Sequence, residues 1–152
     1  MKQTAKIRQY KPADTDTVIA VWEAANAQAH PFLPEDFVDT VRTDMRNIYL
    51  PNAETWVVDL DGETVGFIAM IGTEIGGLFV DPQHHGKGLG RALVDTVVAD
   101  RGLLQVEVFA NNSIGRRFYD GYGFARVNEY LHEPSGQITI RMEMPASSSA
   151  AH

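Results

Sequence analysis

Between residues 78 and 108 the chain reads as a strand, a glycine-rich turn, a helix and a second strand in direct succession. No other feature constrains the fold as tightly. Two strands joined through a helix lie parallel in one sheet, while the segments on either side demand antiparallel pairs. Residues 55–60 and 64–70 flank Asp61-Gly62, a pair suited to the positive φ angles of a type I′ turn. Gly72-Thr73 reverses the chain again into 74–80, and 124–133 with 137–144 close the chain as a strand pair around Pro134-Ser135-Gly136. With a short edge strand at 4–10, the fold class is α/β (α+β): a mixed, mostly antiparallel central sheet of about seven strands with a central parallel pair.

About four helices flank that sheet. Pro12, followed by Asp14 and Asp16, marks a helix start with acidic residues in its first turn. Val18, Val21, Trp22 and Ala25 give it one apolar stripe. His30-Pro31-Phe32-Leu33-Pro34 breaks it. A second helix from Glu35 carries Phe37, Val41, Met45 and Ile48 on one face and closes at Pro51. The crossover helix has Leu89, Leu93 and Val97 on one face with Val94 and Val98 beside them, and 113–121 forms a short fourth helix.

Composition narrows the function. The 152 residues suit a single domain over 1–145, with a disordered tail over 146–152 that has nothing to bury. The net charge of −7 disfavours phosphate-backbone binding, so nucleic acid is not an expected partner. The absence of cysteine removes disulfides, thiolate zinc sites and any sulfur nucleophile. The first eight residues lack a signal-peptide apolar region, and no window approaches the ~18 apolar residues of a membrane span. The expectation is a cytoplasmic protein with no membrane partner.

The chemistry concentrates in Gln83-His84-His85-Gly86-Lys87-Gly88-Leu89-Gly90-Arg91. Glycines at a strand-to-helix turn let the backbone approach a ligand, and the free N–H groups of the helix's first turn favour an anionic phosphate. Lys87 and Arg91 add positive charge there. The P-loop pattern fails, because Gly86-Lys87 is followed by Gly88 rather than Ser or Thr. A dinucleotide fingerprint is met only in part. Glu107 stands about 20 residues on, but the third glycine comes one residue early and too little chain follows for a doubly wound fold. His84 and His85 lack a third ligand at metal-site spacing, so no metal is expected.

Gln83-x-x-Gly86-x-Gly88 resembles the acyl-CoA binding motif of the GNAT superfamily (Gcn5-related N-acetyltransferases). Leu78-Phe79-Val80-Asp81-Pro82 resembles that family's central strand, and Asn112-x-x-Gly115-x-x-Phe118-Tyr119-x-x-x-Gly123-Phe124 its second motif, with Gly115 in place of the usual Ala. The resemblance covers residues 4–144. His30-Pro31-Phe32 and the approach Asn52-Ala53-Glu54-Thr55-Trp56 further resemble small bacterial members that include protein-lysine acetyltransferases.

The resemblance implies a sheet splayed at its central parallel pair, with Gly76-Gly77 permitting the irregularity. It implies acetyl-CoA as co-substrate, its pantetheine arm along Leu78, Phe79 and Val80. The pyrophosphate would rest on the amides from His84 through His85, Gly86, Lys87, Gly88, Leu89 and Gly90 to Arg91. Asn112 would reach the pantetheine or serve as a helix N-cap, and Phe118 would stand beside it. Arg116 and Arg117 would be a solvated helix face or touch the nucleotide end. Tyr119 would be the general acid for the leaving thiolate, or with Phe118 a core aromatic. Glu74 would be the base, or a strand-end surface carboxylate with the proton leaving through an ordered water as in many members. His30 and Phe32 fall where the family shapes its acceptor pocket, with His30 a second candidate base or a structural cap. Glu35, Asp36 and Asp39, clustered at the start of the second helix, would steer a cationic acceptor or form only a solvated helix N-terminus.

The implied activity is transfer of acetyl directly to a primary amine, of a protein lysine or a small molecule, in a ternary complex of a monomer or homodimer. The alternatives are a non-catalytic acyl-CoA-binding regulatory module and, against the acidic charge, a toxin acetylating aminoacyl-tRNA.

Overall fold

The computed structural model describes residues 4–99 and 101–145; the tail expected at 146–152 lies outside the described residues. Asp61 and Gly62 take φ values of 53° and 88°, as a type I′ turn requires. That turn closes β2 (Glu54–Leu60) on β3 (Glu63–Ile71). β1 (Ala5–Gln9) adds to β2, and β4 (Glu74–Val80) follows β3 through the turn at Gly72. With β5 (Leu103–Phe109), β6 (Ala125–His132) and β7 (Gln137–Pro145), the seven strands run in the order β1-β2-β3-β4-β5-β7-β6. Only β4 and β5 are parallel.

That parallel pair is short. Glu74 stands opposite Gln105 and Ile75 opposite Val106, and beyond them the strands part. On its other edge β4 shifts register against β3, with Ala69 opposite Gly77 but Met70 opposite Ile75. Gly76 is the extra residue of a β-bulge, which bends the strand where it leaves β5. The splay and the bulge are one feature.

Helix α1 (Thr15–Ala29) follows a 3₁₀ turn at Pro12–Asp14, and α2 (Glu35–Asp44) continues through a π turn at Met45–Tyr49 into a last turn at Leu50–Asn52. α3 (Leu89–Val98) crosses between β4 and β5, and α4 (Ser113–Tyr122) follows β5. Alternation along β3 divides the core. Phe67 and Ala69 pack with Val18, Trp22 and Met45 on the α1–α2 face. Ile68 and Met70 pack with Leu93, Val97 and Tyr119 on the α3–α4 face. Fully burying each such side chain contributes about 1.5–3 kcal/mol. No helix among the described residues is long and apolar enough to cross a membrane.

Two sequence expectations for α2 change. Ile48 is 50% exposed, and Leu50 takes its place in the core at 3%. The cause is the π turn, in which the Leu50 N–H bonds to the Met45 carbonyl and shifts the apolar phase by a residue. Pro51 does not end the helix but lies inside its last turn. Its ring has no N–H and must clear the carbonyl four residues back, and the widened turn upstream provides that clearance.

Candidate active site

Where β4 and β5 part, a cleft of about 930 Å³ opens between the two helical layers. Leu78, Phe79 and Val80 line it; β3 pairs with one edge of this segment and β5 leaves the other free. An extended ligand with amide groups meets unpaired strand backbone here.

The turn after β4 forms one end of the cleft. Asp81 accepts from the Gln83 N–H at 2.9 Å, and the His85 imidazole Nε2 donates to the Val80 carbonyl at 2.8 Å. His84 Nδ1 lies 3.0 Å from Lys87 Nζ. Gly86 and Gly88 have φ values of 81° and 77°, and a Cβ at either would meet nothing within 4 Å. These glycines serve the backbone's left-handed conformation and leave the space before the amides clear. Gly90 serves another purpose: a Cβ there would lie 3.3 Å from the Phe118 ring, so its absence brings α3 close to α4. The Arg91 guanidinium lies over the Tyr122 ring, 4.8 Å from its centroid, and Tyr122 donates its hydroxyl to Asp95 Oδ1 at 2.6 Å. Arg8, Arg42, Arg46, Arg101, Arg126 and Arg141 all pair with carboxylates. Arg91 has no such pair among the described residues, so its donors are available to a ligand. Left-handed glycines, open amides and a stacked, unpaired guanidinium fit a polyphosphate.

Tyr119 stands between the two ends of the cleft. It is buried, packed edge-to-face on Phe118 and Phe124, with ring centroids 5.2 Å from each. Its hydroxyl has no hydrogen-bond partner among the described residues, yet it is not sealed in the core; Tyr119 lines the cleft. Burial pushes its phenol up, so at neutral pH it is a proton donor.

Glu74, the first residue of β4, lines the cleft below the splay. Desolvation pushes its carboxyl above the usual range, opposed by Arg141, whose Nη1 lies 3.6 Å away. Arg141 also holds Glu107 at 3.3 Å, and Tyr130 donates its hydroxyl to Glu107 at 2.8 Å. Glu74 is therefore the less compensated of two carboxylates in the cleft wall. Glu107, Tyr130 and Arg141 are not singled out for this wall in the sequence. Alternation in β5 does put Gln105, Glu107 and Phe109 on the face opposite Leu104, Val106 and Val108. What cannot be read locally is the placing of β7 between β5 and β6, which sets Arg141 opposite Glu107.

His30, at the end of α1, lines the cleft but is not a free base. Nδ1 is 2.6 Å from Asn26 Oδ1 and Nε2 is 3.0 Å from Asn112 Nδ2. Burial pushes its pKa down to about 4. The candidate cap among its two readings is the one the geometry matches. Phe32 packs edge-to-face on His30 and Phe109, at 5.7 and 5.8 Å, and does not line the cleft. Phe109 and His132 complete that aromatic wall. Gln83 and Lys87 are exposed on the outer side of the turn, and Glu35, Asp36 and Asp39 also stand outside the lining. Asn112 caps α4, accepting the Gly115 N–H at 2.9 Å, and also lines the cleft.

Residues 51–126 match the Acetyltransferase (GNAT) domain. Peptidyl-lysine N-acetyltransferase YiaC of Escherichia coli K12 is 29% identical over 119 residues, 78% of this chain and 82% of that one. Peptidyl-lysine N-acetyltransferase YjaB of the same organism is 30% identical over 119 residues, covering 78% and 80%. The solution structure of apo YjaB superposes with a TM-score of 0.82 at 24% identity, over 92% of this chain and 97% of that one. The structure of yncA from Salmonella typhimurium with its cofactor acetyl-CoA shares the fold, with a TM-score of 0.69 at 16% identity over 94% of each chain. With the family matched over half the chain and the splayed fold shared throughout, this protein belongs to the GNAT family and is an N-acetyltransferase.

Proposed function

We propose that this enzyme transfers the acetyl group of acetyl-CoA directly to a primary amine, with a peptide lysine as the acceptor its relatives' names favour. One observation carries the reading: a single cleft joins the unpaired edge of β4 and the phosphate turn to a free phenol and a raised carboxyl. Acetyl-CoA supplies the activated thioester. Leu78–Val80 would hold the pantetheine by strand-like main-chain bonds, and the amides of 84–91 with Arg91 would hold the pyrophosphate. Glu74 takes a proton from the acceptor ammonium, directly or through water. The amine nitrogen then bonds to the acetyl carbon, the carbon–sulfur bond breaks, and Tyr119 donates its proton to the departing sulfur. Without cysteine in the chain, no acyl group rests on a protein sulfur, so orientation in a ternary complex does the remaining work.

Mass spectrometry of the protein with acetyl-CoA and a pool of lysine peptides, N-terminal peptides and small amines tests this. An acetylated lysine peptide is the expected product. Acetyl-CoA binding without any product would instead favour the non-catalytic module. Glu74→Gln assigns the base. The wild-type kcat/KM should rise with pH through a group above the ordinary carboxyl range, and the variant should lose that limb with a loss of about 10–100-fold. A limb retained in Glu74→Gln assigns the proton to water held by other groups.

A further inference from the structure

The contact between His30 and Asn112 joins the acceptor side of the cleft to the cofactor side, and its hydrogens can be assigned. Asn112 Oδ1 accepts the Gly115 N–H at 2.9 Å, so the atom 3.0 Å from His30 Nε2 is the carboxamide nitrogen. That nitrogen can only donate, so His30 Nε2 accepts. The imidazole proton then lies on Nδ1 and is donated to Asn26 Oδ1 at 2.6 Å. Asn26 and Asn112 are 6% and 8% exposed, and the imidazole packs against Phe79 and Phe109 at 6.3 and 5.1 Å. Each contact along Asn26–His30–Asn112–Gly115 thus pairs one donor with one acceptor, and one carboxamide N–H of Asn112 is left for the cleft that it lines.

Gly115 makes this arrangement possible. A Cβ built on it would lie 2.5 Å from Asn112 Nδ2 and 3.1 Å from Val108 Cγ2. Alanine at 115 would drive the carboxamide away from His30. The departure from the motif's usual alanine is therefore not a neutral exchange of small residues: glycine makes room for the carboxamide to turn back over the first turn of α4.

We propose that His30 is a positioning residue for acetyl-CoA binding: as a neutral Nδ1–H imidazole it fixes the Asn112 carboxamide, in space that Gly115 leaves, so that the remaining N–H is presented to an amide carbonyl of the ligand's pantetheine arm. This rests on the acetyl-CoA reading above. It also makes the acceptor-side loop after α1 a determinant of cofactor affinity, although that loop contributes nothing to the phosphate turn.

The experiment is a double-mutant cycle on acetyl-CoA affinity by calorimetry, with thermal melts to confirm folding and ¹⁵N NMR of the imidazoles. His30→Ala, Gly115→Ala and Asn112→Ala should each weaken acetyl-CoA binding by about fivefold to tenfold, the weight of one hydrogen bond. Adding His30→Ala to Asn112→Ala should cost less than about twofold more, because the histidine acts through the asparagine. Wild-type His30 should show a protonated Nδ1 and a bare Nε2, and both Asn112→Ala and Gly115→Ala should mix the tautomers. Gly115→Ala guards against a folding artefact, since it replaces glycine by the better helix former within α4 and still should weaken binding. Additive losses, or an Nε2–H tautomer in the wild type, overturn the proposal while the acetyl-CoA reading stands. Loss of the kcat/KM pH limb in His30→Ala would make the histidine a base and overturn it too. A wild type that binds no acetyl-CoA removes the underlying reading and this proposal with it.

Discussion

On the α3 side of the cleft the groups proposed to hold ligand are mostly main chain, the β4 edge at Leu78–Val80 and the amides around Gly86 and Gly88, with the Arg91 and Asn112 side chains beside them. On the α1 side they are side chains drawn from five elements: His30 after α1, Glu74 on β4, Glu107 and Phe109 on β5, Tyr130 on β6 and Arg141 on β7. In the proposed reading, a wall that is mostly backbone recognises what every acyl-CoA shares and depends on residue type only at its glycines, Arg91 and Asn112. In the same reading a wall of side chains can be rebuilt one residue at a time, so acceptor choice can change while cofactor binding persists, except at His30, whose contact with Asn112 ties it to the cofactor side. Tyr119 stands where the walls meet.

The largest expected effect falls at that junction. Tyr119→Phe should lower kcat by about 10²–10⁴-fold with the acetyl-CoA Kd unchanged, read by steady-state kinetics beside calorimetry. Loss of affinity with kcat preserved would move Tyr119 into the cofactor wall.

The two walls differ in how much of them is legible before folding. The proposed cofactor side is contiguous: Gln83 to Arg91 and Asn112 to Phe124 each carry their chemistry within about a dozen residues, so spacing alone shows strand, turn and helix and suggests an anion site. Gly90 could be taken for a third phosphate glycine, and only packing shows that it serves Phe118. The acceptor side is assembled by topology. Nothing near Glu107 announces Arg141, because their pairing depends on β7 inserting between β5 and β6. Nothing near His30 announces Asn112, 82 residues away. Where the sequence misleads within one element, at Ile48, a π turn has changed the helical period on which the pattern depends.

The next effect separates the walls by pH. The folded pKa of His30 is about 4, against an ordinary value of 6.5. Between those values the unfolded chain binds the proton more readily, so stability is full above about pH 6.5 and falls as pH drops toward 4. The linked loss is on the order of 3 kcal/mol. Chemical denaturation at pH 7 and pH 4.5 should show this acid limb shrinking in His30→Gln. An equal limb in both proteins would place the acid sensitivity elsewhere.

A smaller change tests the backbone wall. Gly88 precedes α3 with φ at 77° and open space around it, so Gly88→Ala adds strain without a clash. A non-glycine residue in the left-handed region costs roughly 1–2 kcal/mol. Relieving that strain tilts the amides, so acetyl-CoA affinity should fall about tenfold, with the KM for the acceptor peptide unchanged. If both constants moved together, the walls would not be separable.

The smallest effect concerns which acidic residues a cationic acceptor meets. Glu35, Asp36 and Asp39 stand together at the start of α2, where a steering patch is the natural reading of the sequence. In the fold, Asp39 binds Arg42 at 2.7 Å, Arg42 also binds Glu23, and none of the three residues lines the cleft. Around the proposed acceptor site, Glu74, Glu107 and Glu143 instead share the single guanidinium of Arg141, so the local field is negative there. Long-range attraction between exposed charges is screened beyond about 8–10 Å at moderate salt. The kcat/KM for a lysine peptide should therefore decline only a few-fold between about 0.05 and 0.5 M salt. Asp39→Asn should leave that slope within about twofold of the wild type, since a neutralised surface pair contributes little. Glu107→Gln should flatten it, because it removes charge from the wall the acceptor approaches. The opposite pattern, with Asp39 setting the slope and Glu107 silent, would place acceptor entry over α2 and away from the splay of β4 and β5.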